Sequence, residues 1–445
     1  MSTNPKDAAV KALEVSLAKG CQAARICLNI SAQSSCSVRN DKLDRLQQST
    51  SSSLYIQLFV DGRYGTFSTN RTEPEEVANF IGKGIEATRF LTPDPCRSLP
   101  DKALYYTGGG EDLRQYDSSG EAIEPKQKLS IAFGCSAEVL GKDKRVVTVN
   151  SEYGDSDDYF YMIDSQGFDE ESHETNFTLS AECSVKGRGD ARPEAWWYEG
   201  AMFFDKLKIE GCGTKAMERA LNRLNPIKLK SGKYNMVIEN TVSSRFVSPV
   251  VSALNGSSIQ QNNSFLKDML GKQVFSPHFT LFDNAHLVGA AGSRYYDGEG
   301  VATKPINIIE DGVINTYFIN TYNSKKLGLP VTVEGPSVLN CYMDRSFSSS
   351  QEKNLDYILS KCGSGIFVTG FNGGNSNSST GDFSYGVEGF FFENGKISHP
   401  IKEMNVSGNI ITLWNNIVEI GTDPRNTSRW LIPTLAFESV DFSGK

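Results

Sequence analysis

The chain has 445 residues, of which 39% are hydrophobic, 22% charged and 10% aromatic; this excludes a disordered, collagen-like or coiled-coil protein, and the length favours more than one domain. Lys+Arg 45 against Asp+Glu 53 leave a net charge of −8, so the average surface repels polyanions and nucleic acid is not an expected partner. Mean hydropathy is −0.35 and no apolar run approaches the roughly 18 residues of a membrane span, so no membrane association is expected. Lys6, Asp7, Lys11, Glu14 and Lys19 interrupt any apolar leader, and nine scattered cysteines without a CxxC suit a reducing compartment. A cytoplasmic location is expected.

The first element reads as a helix capped by Asn4, with Pro5 at its first position, a stripe of Val10, Leu13 and Leu17, and Gly20 as the stop. Strands follow over 25–30 and 54–60, separated by a polar stretch at 35–45; Asp61-Gly62 then marks a tight hairpin into 63–69. A second helix is expected from Thr72, with Thr72 and Glu75 spaced as a capping box and Val77, Phe80, Ile81 and Ile85 on one face. Residues 91–125, rich in Pro and Gly, read as a connection. A helix over 126–140, strands over 145–153, 159–163 and 175–185, and a helix over 214–224 repeat the helix, strands, helix order. Beyond residue 226 the texture is mostly β, with hairpins at Asp311-Gly312 and Asn394-Gly395, short helices over 249–255 (Ser248 as cap) and 352–362, and a loop over 370–381.

No catalytic machinery assembles from these residues. Zinc hydrolases of the HExxH type need two imidazoles one helical turn apart, and the four histidines, His173, His278, His286 and His399, provide no such pair. His173 reads as a surface-strand residue, and His278 with His286 lack a third ligand nearby. Asp155, Asp157 and Asp158 fail as a calcium loop, since Phe160 and Gln166 stand where Gly and Glu are needed; a solvated turn is expected. Asp297-Gly298-Glu299-Gly300 reads as a turn before it reads as a catalytic acid pair. No P-loop or GxSxG elbow occurs, and Trp196-Trp197-Tyr198 reads as a strand rather than a base-stacking platform.

Several longer stretches nonetheless resemble one family. They are Phe59-Val60-Asp61-Gly62-Arg63 with Ser68-Thr69-Asn70; Ser293-Arg294 with Asp297-Gly298-Glu299-Gly300-Val301; Glu310-Asp311-Gly312-Val313; Ser324-Lys325-Lys326-Leu327-Gly328-Leu329-Pro330; and Thr380-Gly381-Asp382-Phe383-Ser384 with Gly389-Phe390 and Glu393-Asn394-Gly395-Lys396-Ile397. Together they resemble the TldD/PmbA family, once called modulators of DNA gyrase, over nearly the whole chain. The resemblance implies an α+β fold of two domains, an α/β N-terminal half at 1–225, with subdomains at 1–95 and 120–225, and a β-rich, mostly antiparallel C-terminal half at 226–445.

In the metal-bearing branch of this family an HExxxH helix and a late Cys hold zinc. The matching window here, 245–256, has no His, Glu, Asp or Cys, and 425–433 has no Cys. The resemblance therefore places the chain in the PmbA-type branch, with no metal or catalytic residue of its own and zinc only in a partner subunit. The implied role is a non-catalytic subunit that encloses unfolded peptides together with a metal-bearing TldD-like subunit; a stand-alone peptide-binding homodimer is the alternative. Asn372, Asp382 and Tyr385 are the candidates for contacting an extended peptide.

Overall fold

The computed structural model describes residues 5–343 and 352–444, so the expected cap Asn4 lies outside the described residues. The N-terminal half runs α1 (Pro5–Ala18), β1 (Ala23–Arg39), β2 (Lys42–Val60), β3 (Arg63–Thr69), α2 (Pro74–Arg89), α3 (Pro125–Ala137), β4 (Val146–Asp164), β5 (Asp169–Val185), β6 (Glu194–Ala201) and α4 (Cys212–Asn222). Its strands form one sheet in the order β3-β2-β1-β4-β5-β6. Each half of that sheet is thus a helix, three strands and a helix, and the two units meet at an antiparallel β1–β4 ladder running from Arg25↔Asp164 to Arg39↔Asn150. Side chains alternate along a strand, so Ile26, Leu28 and Cys36 share one face of β1. The first two lie in a core with α1 and α2, the third in a core with α3 and α4. All four helices therefore cover the same face, at opposite ends of the long strands.

Local details differ from the sequence reading for identifiable reasons. In α1 the buried residues are Ala8, Ala9, Ala12 and Ser16, while Val10 and Leu17 are 37% and 41% exposed; small side chains let this helix lie close to its neighbours. Pro74, whose fixed φ suits a first turn, sets the start of α2, and Glu73 stands at the cap without a side-chain bond, so the Thr72–Glu75 capping box does not form. The polar stretch at 35–45 is the far end of β1, a turn at Asn40 and the start of β2; Cys36 and Val38 are buried on one face of β1, while residues 41–45 are exposed and carry no apolar alternation. Asp155, Asp157 and Asp158 lie inside the continuous strand β4, not in a turn: Asp155 pairs with Lys128, and Asp157 meets His173 Nε2 at 2.6 Å.

The C-terminal half runs β7 (Gly232–Ile238), α5 (Ser244–Ala253), α6 (Gly256–Gln260), β8 (Thr280–Asp283), β9 (Ile306–Glu310), β10 (Val313–Ile314), α7 (Thr321–Leu327), β11 (Leu339–Tyr342), α8 (Leu355–Cys362), β12 (Gly365–Ser376), β13 (Asp382–Glu393), β14 (Lys396–Asn409), α9 (Ile410–Asn415), β15 (Ile417–Ile420), β16 (Trp430–Leu431) and β17 (Leu435–Ser443). Two mixed, mostly antiparallel sheets, β10-β9-β8-β11-β16 and β14-β13-β12-β7-β17-β15, contribute to one large core that includes α5. All three expected hairpin turns form, with positive φ at Asp61 and Gly62, Asp311 and Gly312, and Asn394 and Gly395. The stretch 370–381 is not a free loop. Its first part is β12, paired with β13 through two irregularities in register, and only the tip beyond Ser376 turns.

The segment between α2 and α3 is stitched to the C-terminal half. Tyr106 N donates to Gly300 O, Gly289 N to Leu113 O, and Tyr295 Oη to Glu111 O, at 3.0, 2.7 and 2.8 Å. Beneath it Arg25 Nη2 reaches Asp164 Oδ2 at 3.1 Å and Glu299 O at 2.7 Å, and Tyr105 Oη donates to the same carboxylate. Among the described residues no helix is long and apolar enough to cross a membrane.

Candidate functional site

Helix α5 forms because Phe246, Val247, Val250, Ala253 and Leu254 recur at helical spacing, and all five are buried. It starts at Ser244, ahead of the expected Pro249, which sits inside the helix; Ser243 stands at the cap without a side-chain cap bond and donates instead to Ile432 O at 3.0 Å. Nearby, Asn240 Nδ2 donates to Asp423 O at 2.6 Å, and Asp423 accepts from Thr434 N and Oγ1 at 2.8 and 2.7 Å. The chain around α5 and the segment 423–434 are therefore joined in space, although their separation in sequence gives no sign of it.

The buried face of α5 meets the β12–β13 hairpin through aromatic side chains. Phe246 lies edge-on to Phe371, Phe383 and Tyr385, with centroids 5.6, 5.1 and 5.7 Å away. Its solvent face carries Arg245, Ser248 and Ser252, all exposed. The Arg245 guanidinium sits 4.5 Å from the centroid of the Tyr385 ring.

The structure does not bring the three expected peptide contacts together. Asp382 and Tyr385 are an odd number of residues apart on one strand and so face opposite sides; Asn372, opposite Gly386 in register, shares the outer face with Asp382. Tyr385 is 2% exposed, its ring wedged in the core, which corrects the expectation that it faces an extended peptide. The exposed Asp382 braces the hairpin tip: its carboxylate accepts from Asn409 Nδ2 at 2.9 Å and Thr380 Oγ1 at 2.7 Å, and those two bonds hold its pKa below the ordinary carboxylate value. Asn372 is exposed.

Between the two halves lies a cleft of about 740 Å³ whose lining includes Tyr106, Tyr295, Tyr296, Glu170 and Glu174. Burial, followed by the charges of Asp169 and Glu171, pushes the Glu170 carboxyl up; burial and Asp158 do the same to Glu174. Asp297-Gly298-Glu299-Gly300 forms a turn at its edge, as expected. Buried Asp297 accepts from Glu299 N, Val301 N and Glu334 N, and Glu299 accepts from Thr321 N and Oγ1. These carboxylates hold loops rather than form an acid pair. Among the described residues no group of three or more His, Cys, Asp or Glu is placed to hold a metal ion. His286 Nε2 lies 3.1 Å from Thr303 Oγ1, and His173 stacks on Tyr116.

Three family models for successive parts of one protein match in order: PmbA/TldA metallopeptidase domain 1 at 24–88, the central domain at 119–224 and the C-terminal domain at 231–444. The chain belongs to the PmbA/TldD family. A crystal structure from Bacteroides thetaiotaomicron, described as a candidate modulator of DNA gyrase, is similar over 100% of both chains, with 48% identity and a TM-score of 0.95. TldE from Thermococcus kodakarensis shares the fold at 18% identity and a TM-score of 0.83. Metalloprotease PmbA of Escherichia coli O157:H7 is 27% identical over 443 residues, covering 99% of this chain and 96% of that one. Relatives of this PmbA/TldD chain are thus named metalloproteases, which gives it a peptidase-family role. The models for domain 1 and the central domain fall on the two helix-and-strand units of the N-terminal half.

Proposed function

We propose that this chain is a non-catalytic, substrate-enclosing subunit of a PmbA/TldD-type zinc metallopeptidase, working on unfolded peptides beside a metal-bearing relative. The observation that carries the reading is the donor set where α5 meets 423–434. Zinc takes imidazole, thiolate or carboxylate ligands; α5 offers Phe, Val, Ala, Ser, Pro and Arg, and the segment 423–434 adds one such group, Asp423, whose carboxylate is already bonded to Thr434. The residues present do not fit a metal at α5, so no catalytic step is assigned to them. β12 pairs with β7 only over Ile366–Val368, so among the described residues its later part has no strand partner on the side away from β13. An open strand edge of this kind suits a sequence-tolerant role, since backbone hydrogen bonds grip an extended peptide without reading its side chains.

The test is co-expression with a metal-bearing PmbA/TldD relative, followed by peptide cleavage with and without chelator and by elemental analysis of each subunit. Cleavage that requires both chains and is lost on chelation, with zinc found in the relative alone, is the expected result. Stoichiometric zinc in this chain by itself, or full activity of the relative alone, would overturn the reading.

A further inference from the structure

We propose that Arg245 is an anchor for a carboxylate, and in particular for the free C-terminal carboxylate of an extended peptide. The inference rests on the peptide-handling reading above for the class of ligand, and on the geometry around Arg245 for the residue.

Arg245 lies in the first turn of α5, on the solvent face it shares with Ser248 and Ser252 at i+3 and i+7. Among the described residues its guanidinium has neither an ion pair nor a hydrogen bond, and its contact is with the face of Tyr385 at 4.5 Å. That ring does not move freely: it is 2% exposed, stacked on Phe383 at 5.7 Å and edge-on to Phe246 and Phe371 at 5.7 and 5.6 Å. A guanidinium laid on a fixed aromatic face keeps its N–H donors in one plane, so less side-chain entropy is lost when it binds. A carboxylate matches that planar fork with two parallel hydrogen bonds.

The nearby carboxylate that could have satisfied it is already engaged and faces away. Asp382 is bonded to Asn409 and Thr380 on the opposite side of the hairpin. Ser248 and Ser252 have no side-chain hydrogen bond among the described residues, which leaves two hydroxyls on the same stripe for the last backbone carbonyls of a peptide. A helix face with one oriented cation followed by hydroxyls at one-turn intervals is complementary to a chain end, where a charged carboxylate precedes neutral amides.

The experiment measures binding of a labelled, unstructured seven-residue peptide to the full chain by fluorescence anisotropy. Three forms are compared: free C-terminal acid, C-terminal amide, and an amide carrying one internal Glu. The acid is expected to bind about tenfold tighter than the amide, with the internal Glu recovering little of the difference; Arg245→Gln should remove the acid's advantage and Arg245→Lys retain part of it. Equal affinity for acid and amide, no measurable affinity for either, or an unaltered preference in Arg245→Gln would overturn the assignment, and an internal-Glu amide as tight as the acid would overturn the chain-end specificity. Because this assay uses no metal-bearing relative, failure of the two-subunit reading shows up in the cleavage experiment while the acid preference persists. Failure of the anchor leaves cleavage by the pair intact.

Discussion

Arg25 and Asp164 face each other directly in the β1–β4 register, with side chains 2% and 0% exposed. Burying two charges costs several kcal/mol each, and their attraction together with the bonds to Tyr105 and Glu299 offsets that cost. Removing one partner strands the other, so Asp164→Ala is expected to lose about 3–5 kcal/mol of unfolding free energy in a denaturant titration. Asp283 behaves differently. Burial pushes its carboxyl up to about 6 against the pull of Ser337 N and Val338 N. A carboxyl that holds its proton more tightly when folded stabilises most at low pH, and that contribution fades as pH rises from about 4 through about 6. The deficit of Asp283→Asn relative to the parent chain should therefore shrink by about 2 kcal/mol between pH 4 and pH 7, and a constant deficit would show that Asp283 does not titrate in this window. Neither role was legible beforehand: Arg25 stands at the head of an apolar run, but nothing local points to an acid 139 residues away.

The elements divide by how much local chemistry specifies them. Asp-Gly and Asn-Gly turns need two positive φ values whatever surrounds them, and all three were readable. The strand at 370–376 was not, because Gly, Asn and Ser are loop residues and its order comes from pairing with β13. The start of α5 was missed because Pro249 looks like a first-turn residue, whereas burial of Phe246 and Val247 extends the helix ahead of it. Two turn glycines test what context adds. At Gly62, φ is +71° and a Cβ would meet nothing within 4 Å; at Gly312, φ is +79° and a Cβ would lie 2.1 Å from Phe275 O. Gly62→Ala should cost about 1 kcal/mol from the backbone alone, and Gly312→Ala about 2 kcal/mol or more beyond that, as measured by chemical unfolding.

At the scale of the whole molecule, the repeated helix, strands, helix order was readable, but its fusion into a single sheet was not, since the β1–β4 pairing joins residues far apart in sequence. The connection between α2 and α3, which looks like a linker by composition, is pinned to the C-terminal half at Gly289, Tyr295 and Gly300. Limited proteolysis under native conditions is accordingly expected to spare residues 99–117, with cleavage there appearing only at denaturant concentrations that unfold the chain. Early nicking in that stretch would mean that the two halves open independently.

The central ladder also bears on synthesis. Until β4 leaves the ribosome, β1 has an open edge along its length, and the first helix-and-strand unit is released with half of its sheet unpaired. At roughly 5–20 residues per second that interval lasts on the order of ten seconds, long enough for a nascent chain to pair wrongly with another copy. The cell's holding chaperones would meet this protein first as an unfinished sheet, and its yield on overexpression should depend on how quickly translation delivers residues 146–164.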